Sequence, residues 1–165
     1  MRKSFIHTKP HLVLLLACPI LAIVAWLRRS YAVDVQLYDT YYILGINLVA
    51  EFLITIILIT SFLYWLTRNR IGFPQLTAAH VLATIGIALY IISATGYPPN
   101  NPADTGTPMS PQQYQSWQDI SMRFMMAVIT FAAFQLLLIA NLIVKWVGGM
   151  GAVRGDRPPT ADRRP

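Results

Sequence analysis

Four uninterrupted apolar blocks constrain this chain more than any motif does. They cover roughly 12–27, 41–66, 76–96 and 120–147. Their apolar residues are continuous rather than spaced every two or 3.6 positions, so no block offers the polar face of a water-bound helix or strand. The last three reach or exceed the ~20 residues that cross ~30 Å of hydrocarbon as a helix. The first, at about 16 residues, spans if its flanks snorkel or the bilayer thins locally. Of 165 residues only 12% are charged, about half the share found in soluble domains. The expected fold class is therefore an all-α integral membrane protein, a four-transmembrane-helix bundle over 1–147. A basic tail over 148–165, rich in Gly, Arg, Pro and Asp, is expected to be disordered.

The first block admits a second reading. Arg2 and Lys3, the apolar run and Ser30-Tyr31-Ala32 loosely imitate a secretory signal and its cleavage site, and Leu15-Leu16-Ala17-Cys18 imitates a lipoprotein box. Arg28 and Arg29 stand between the apolar core and the first of those sites, where a signal seldom carries positive charge, and Pro19 follows the second. Retention as a transmembrane helix is the reading adopted. Cys18 is the single cysteine, which excludes an internal disulfide and any multi-cysteine metal site.

The net charge of +6 does not point to nucleic acid, because the basic residues sit in tails and short loops rather than on one stripe. They mark topology instead. With four crossings, Arg2, Lys3, Lys9, Arg68, Arg70, Lys145, Arg154, Arg157, Arg163 and Arg164 share one side, against Arg28, Arg29 and Arg123 on the other. The positive-inside rule places both termini in the cytoplasm, for a bacterial inner membrane, with the lipid bilayer as the first partner. Arg154-Gly155-Asp156 spells an integrin-recognition tripeptide, which on a cytoplasmic tail is coincidence. The opposite loops carry Asp34, Asp39, Asp104 and Asp119. The loop over 97–119 contains Pro98, Pro99, Pro102, Pro108 and Pro111 and reads as extended and irregular. Trp26, Tyr31, Tyr41, Tyr42, Tyr64, Trp65, Trp117 and Trp146 fall near the expected interfaces as an aromatic belt.

Polar residues inside the blocks are the candidate functional groups. Glu51 lies about ten residues into the second block, ~15 Å from its start, and a carboxyl at such depth raises a functional hypothesis by default. Asn47, Glu51 and Thr55 recur every fourth residue and share one helix stripe. They suit either a proton relay or a protonated acid bonded to Asn47 or a neighbouring helix. Gln135 and Asn141 read as interhelical hydrogen-bond partners. His80 reads as a packed or interfacial histidine, and Met122, Met125 and Met126 as a packing stripe. His7 and His11 are separated by Pro10 and make no metal site. No phosphate loop, nucleophile–base arrangement or cofactor fingerprint occurs.

One stretch adds ancestry. Asp34-Val-Gln-Leu-Tyr38-Asp39-Thr-Tyr41-Tyr42 resembles the segment of haem-copper (cytochrome c) oxidase subunit I that leads into its haem-binding helix. That family reads Asp-x-x-Leu-His-Asp-Thr-Tyr-Tyr/Phe and then two histidines one residue apart. Further landmarks follow in order. Tyr64-Trp65 resembles the aromatic pair closing that helix, and His80-Val-Leu the His-Phe-Trp at the start of the next. Gly96-Tyr97-Pro98 resembles the Gly-Met-Pro that leaves it, and Trp117 falls near a Trp-Asn pair. The likeness covers roughly 33–146, the last three helices of that subunit, and the first block stands where the preceding helix would.

The departures shape what the resemblance implies. Ile46 and Leu48 replace the two haem-ligand histidines, whose side chains one residue apart project about 200° from each other. Pro99 and Asn100 stand where an arginine pair clamps haem propionates. Of a His-Asp magnesium pair, Tyr38-Asp39 keeps one ligand, and Asp34 matches a carboxylate near a propionate. A lone ligand makes a weak magnesium position, since the ion wants near-octahedral oxygen coordination. The resemblance therefore implies no haem or other cofactor and a non-catalytic, accessory, assembly or interaction component of a respiratory complex, partnered by oxidase membrane subunits. The alternatives are a fragment of a split oxidase and a small proton- or ion-conducting oligomer using Glu51.

Overall fold

The computed structural model describes residues 9–37, 40–68, 74–97 and 110–155. Asp39, most of the Pro-rich loop, the first eight residues and the tail beyond Gly155 lie outside them. The chain builds α1 (Pro10–Leu27), a β-hairpin of β1 (Ala32–Leu37) and β2 (Thr40–Gly45), then α2 (Ile46–Leu66), α3 (Pro74–Ala94) and α4 (Pro111–Gly155). Four segments are long and apolar enough to cross a membrane: Pro10–Leu27, Ile46–Leu66, Gln75–Ala94 and Tyr114–Val144. The chain is an integral membrane helical bundle.

Pro10 opens α1, where its missing N–H is one the helix leaves unbonded anyway. Pro19 lies inside α1 without ending it, and the helix stops at Arg28, whose amide bonds back to Val24 and Ala25. The hairpin is the element that the apolar blocks hide. Thr40–Gly45 continues straight into the apolar run of the second helix, but it is strand, so α2 begins at Ile46 and not at 41. Thr, Tyr, Tyr and Ile favour a pleated surface, and Gly45 makes the corner in an extended conformation (φ −62°, ψ 141°). The antiparallel register pairs Ala32 with Gly45 and Leu37 with Thr40. Val33 and Val35, two apart in the alternating Val-Asp-Val-Gln-Leu, are both buried.

The hairpin ties three helix ends together. The Ile46 amide donates to the Tyr31 carbonyl (3.0 Å), and Tyr97, just beyond α3, exchanges both backbone bonds with Ala32 (2.7 and 3.3 Å). The Tyr97 hydroxyl reaches α4, donating to the Trp117 carbonyl and lying 3.1 Å from the Ser121 hydroxyl. Gly96 makes that approach possible. It sits at φ +107°, and a Cβ there would lie 3.1 Å from Ile46 Cδ1 and 3.3 Å from the Ala32 carbonyl. Arg28 caps the end of α3 by donating to the carbonyls of Ile92 (3.0 Å) and Ser93, and its guanidinium lies 4.0 Å over the Tyr31 ring.

α4 differs from expectation at both ends. It starts at Pro111 because that proline sets the first helical φ and neither Gly nor Pro intervenes before Gly148. The stretch over 111–119 is therefore helical and not irregular. At the other end its backbone carries on to Gly155, into the region expected to be disordered, since extending a formed helix needs no new nucleus. At 45 residues it is about 67 Å long.

Packing is asymmetric. α1 lies against α2 and α3, α2 more lightly against α3, α3 against α4, and α4 also meets β1. The surface reverses that of a water-soluble protein. Leu16, Ile43 and Phe52 are 69%, 68% and 67% exposed, whereas Thr60, Thr77, His80, Thr84 and Asn141 are buried. Such an outside is stable only against lipid.

Candidate functional site

The buried polar residues gather at the end of the bundle formed by the start of α1, the end of α2, the start of α3 and the distal part of α4. His80 of α3 is fully buried at its centre. Its Nδ1 lies 3.2 Å from the Tyr64 hydroxyl of α2, and its Nε2 lies 3.4 Å from both Gln135 Oε1 of α4 and Thr84 Oγ1 one turn along α3. Gln135 Nε2 donates in turn to Thr84 Oγ1 at 3.5 Å. One tautomer serves both ring nitrogens: Tyr64 donates to Nδ1, and the Nε2–H donates to Gln135. Beside this chain Asn141 Nδ2 donates to Thr77 Oγ1 at 2.7 Å, and the Tyr64 hydroxyl also meets Asn141 and Thr77. The Ser61 hydroxyl fastens α2 to α1 by donating to the His11 carbonyl (2.8 Å).

Chemically this is a hydrogen-bonded pin through three helices. In lipid each interhelical bond contributes about 0.6 kcal/mol, at most ~1.7. Among the described residues no three His, Cys, Asp or Glu side chains converge to hold a metal ion. Among the described residues the cluster holds no carboxylate.

The sequence candidates separate. Gln135 and Asn141 belong to the cluster. Glu51 and Asn47 do not: they are exposed on the outward face of α2, and neither bonds to the other or to an adjacent helix among the described residues. Because α2 starts at Ile46, Glu51 lies only ~7.5 Å along it rather than ~15 Å. The Thr55 hydroxyl donates to the Glu51 main-chain carbonyl (2.8 Å) and not to its carboxyl. Asp34 sits on β1 opposite Ile43. Met122 and Met126 are 65% and 57% exposed, so they do not pack inward as a stripe.

Tyr64, Thr77 and Thr84 were not singled out as site residues by sequence reasoning. Tyr64 reads as an interfacial aromatic, yet it is fully buried while its neighbour Trp65 is 46% exposed. The signal for the threonines is their spacing with His80, at three and four residues, which puts all three on one face of α3.

Between α2 and α4, under the hairpin, lies a cleft of about 540 Å³ whose walls include Val35, Leu44, Leu48, Phe52, Ile91, Phe124 and Phe131. Leu48 faces it, whereas Ile46 is fully buried against Gly96. Haem does not fit these residues. Neither position can ligate iron, and among the described residues no imidazole or basic side chain lines the cleft. No protein family, no curated protein and no solved structure matches this chain.

Proposed function

We propose that this chain is a non-catalytic membrane component built like the last helices of haem-copper oxidase subunit I, acting as an accessory or assembly partner of a respiratory oxidase. It sits in a bacterial inner membrane with both termini in the cytoplasm. The observation that carries the reading is the all-apolar cleft faced by Leu48, one of the two positions where the resemblance puts a haem ligand. Leu48 lines the cleft and Ile46 packs beside it against Gly96, both aliphatic, which supports a frame kept without its redox chemistry. The landmarks of the resemblance also meet in space, which supports a shared packing. Tyr64 contacts His80, and Tyr97 stacks on Trp117 with ring centroids 6.3 Å apart.

The test is purification of the tagged chain from its own membranes in mild detergent, with mass spectrometry and an optical spectrum of the product. Oxidase subunits in near-constant ratio are expected. Recovery of the chain without them refutes the accessory role. A stoichiometric haem band in the separated chain refutes the non-catalytic reading.

A further inference from the structure

Two oppositely charged residue types in the spanning segments, Glu51 and Arg123, face outward without partners among the described residues. Glu51 occupies the middle of the α2 sector turned away from the bundle: Asn47, Thr55, Leu58 and Phe62 around it are exposed, while Val49, Leu53, Ile57 and Thr60 on the far side are buried. No described side chain bonds its carboxyl. Arg123 is exposed on α4 beside a groove of about 400 Å³ between α3 and α4, together with Gly86, Tyr90, Met126 and Thr130. It forms no ion pair among the described residues, and Asp119, one turn earlier, does not reach it.

The hairpin fixes the relative depth of these two groups. Glu51 stands five residues beyond Ile46, ~7.5 Å below the hairpin end. Arg123 stands two residues beyond Ser121, which touches the Tyr97 hydroxyl, and shares its groove with Tyr90, ~6 Å before the end of α3. The two charges therefore lie at nearly the same level on different faces of the bundle. A charge turned toward hydrocarbon is strongly unfavourable, and such residues ordinarily pair with one another.

We propose that the chain assembles with itself in the membrane, α2 of one copy lying in the α3–α4 groove of the next, with Glu51 paired to Arg123. Matched depth requires every copy to share one orientation in the bilayer. Gly86 leaves the groove floor open, since a Cβ there would meet nothing within 4 Å, and a small residue at such a seam lets helices approach closely. The contact joins two different faces, so it either closes as a two-fold pair with the Glu51–Arg123 contact made twice or repeats head to tail as a ring or open chain. This inference stands apart from the proposed oxidase partnership.

The experiment co-expresses two differently tagged copies of the full chain and measures their co-purification and mass in mild detergent. The natural chain is expected to associate. Glu51→Arg alone and Arg123→Glu alone are each expected to lower association roughly 100-fold, because each leaves like charges facing at the seam. A mixture of the two variants restores it, since every contact between unlike copies is again complementary. Glu51→Gln and Arg123→Gln serve if the reversals fail to insert. Each should weaken association about tenfold, and the double variant no further than either single one. A monomeric natural chain, association that survives single reversal, a mixture that stays monomeric, or additive neutral variants each overturn the proposal, as does a different protein found pairing with Glu51.

Discussion

Replacing His80 by Leu tests the polar pin directly. The substitution keeps the apolar volume roughly constant and removes two interhelical bonds, from Tyr64 (3.2 Å) and to Gln135 (3.4 Å). At about 0.6 kcal/mol each, with ~1.7 as the ceiling, the loss is about 1–3 kcal/mol. Thr84 adds little, because it lies on the same helix and still accepts from Gln135. Tyr64 is not orphaned either, since its hydroxyl also meets Asn141 and Thr77, which keeps the cost below that of an unsatisfied buried group. Tyr64→Phe alone should cost about 0.6–1.7 kcal/mol. If the two residues act through their mutual bond, the double variant costs less than the sum of the singles by about 0.5 kcal/mol or more. Reversible unfolding in mixed SDS and maltoside micelles, followed by far-ultraviolet circular dichroism, measures all three. Strict additivity, or a neutral His80→Leu, would refute the pin.

Other substitutions probe separate features. Gly96→Ala should destabilise by about 2–4 kcal/mol in the same assay, through positive-φ strain and contact with Ile46 and the Ala32 carbonyl. Gly86→Ala, with open space at its Cβ, should leave unfolding unchanged within about 1 kcal/mol. Arg28→Ala removes charge-assisted bonds to the last carbonyls of α3 and should cost about 1.5–3 kcal/mol, with Arg28→Lys recovering part. Asn141→Leu loses the bond to Thr77 but also removes a buried acceptor, Oδ1, that has no partner among the described residues. Its net effect should stay within about 1 kcal/mol, whereas Asn141→Asp should cost about 3 kcal/mol or more if ionised.

The four spans were legible because block length is an almost direct measure of bilayer thickness. The hairpin was not, since Thr40–Gly45 carries no polar break against the helix that follows, and short apolar runs suit strand and helix alike. Its one clear trace was the alternation from Val33 to Leu37. Gln135 and Asn141 stood out as deep amides. Their partners Tyr64, Thr77 and Thr84 did not, because threonine and tyrosine are unremarkable in apolar segments and the pairing depends on how three helices slide past one another. The Asn47–Glu51–Thr55 stripe was readable as a stripe, but not its direction. A helix that is apolar all round gives no sign of which side faces its neighbours.

The pairing of Ala32 with Tyr97 imposes an order on biogenesis. β1 and α2 are made well before residue 97, so the outer edge of β1 leaves the ribosome without the segment that covers it. That edge stays open until α3 has been threaded through the bilayer and its exit delivered to the same surface. A chain stopped after α2 carries an unfastened strand at the lipid boundary, where unsatisfied peptide groups are most costly. Completion of the third crossing is thus the step that covers the open edge of β1.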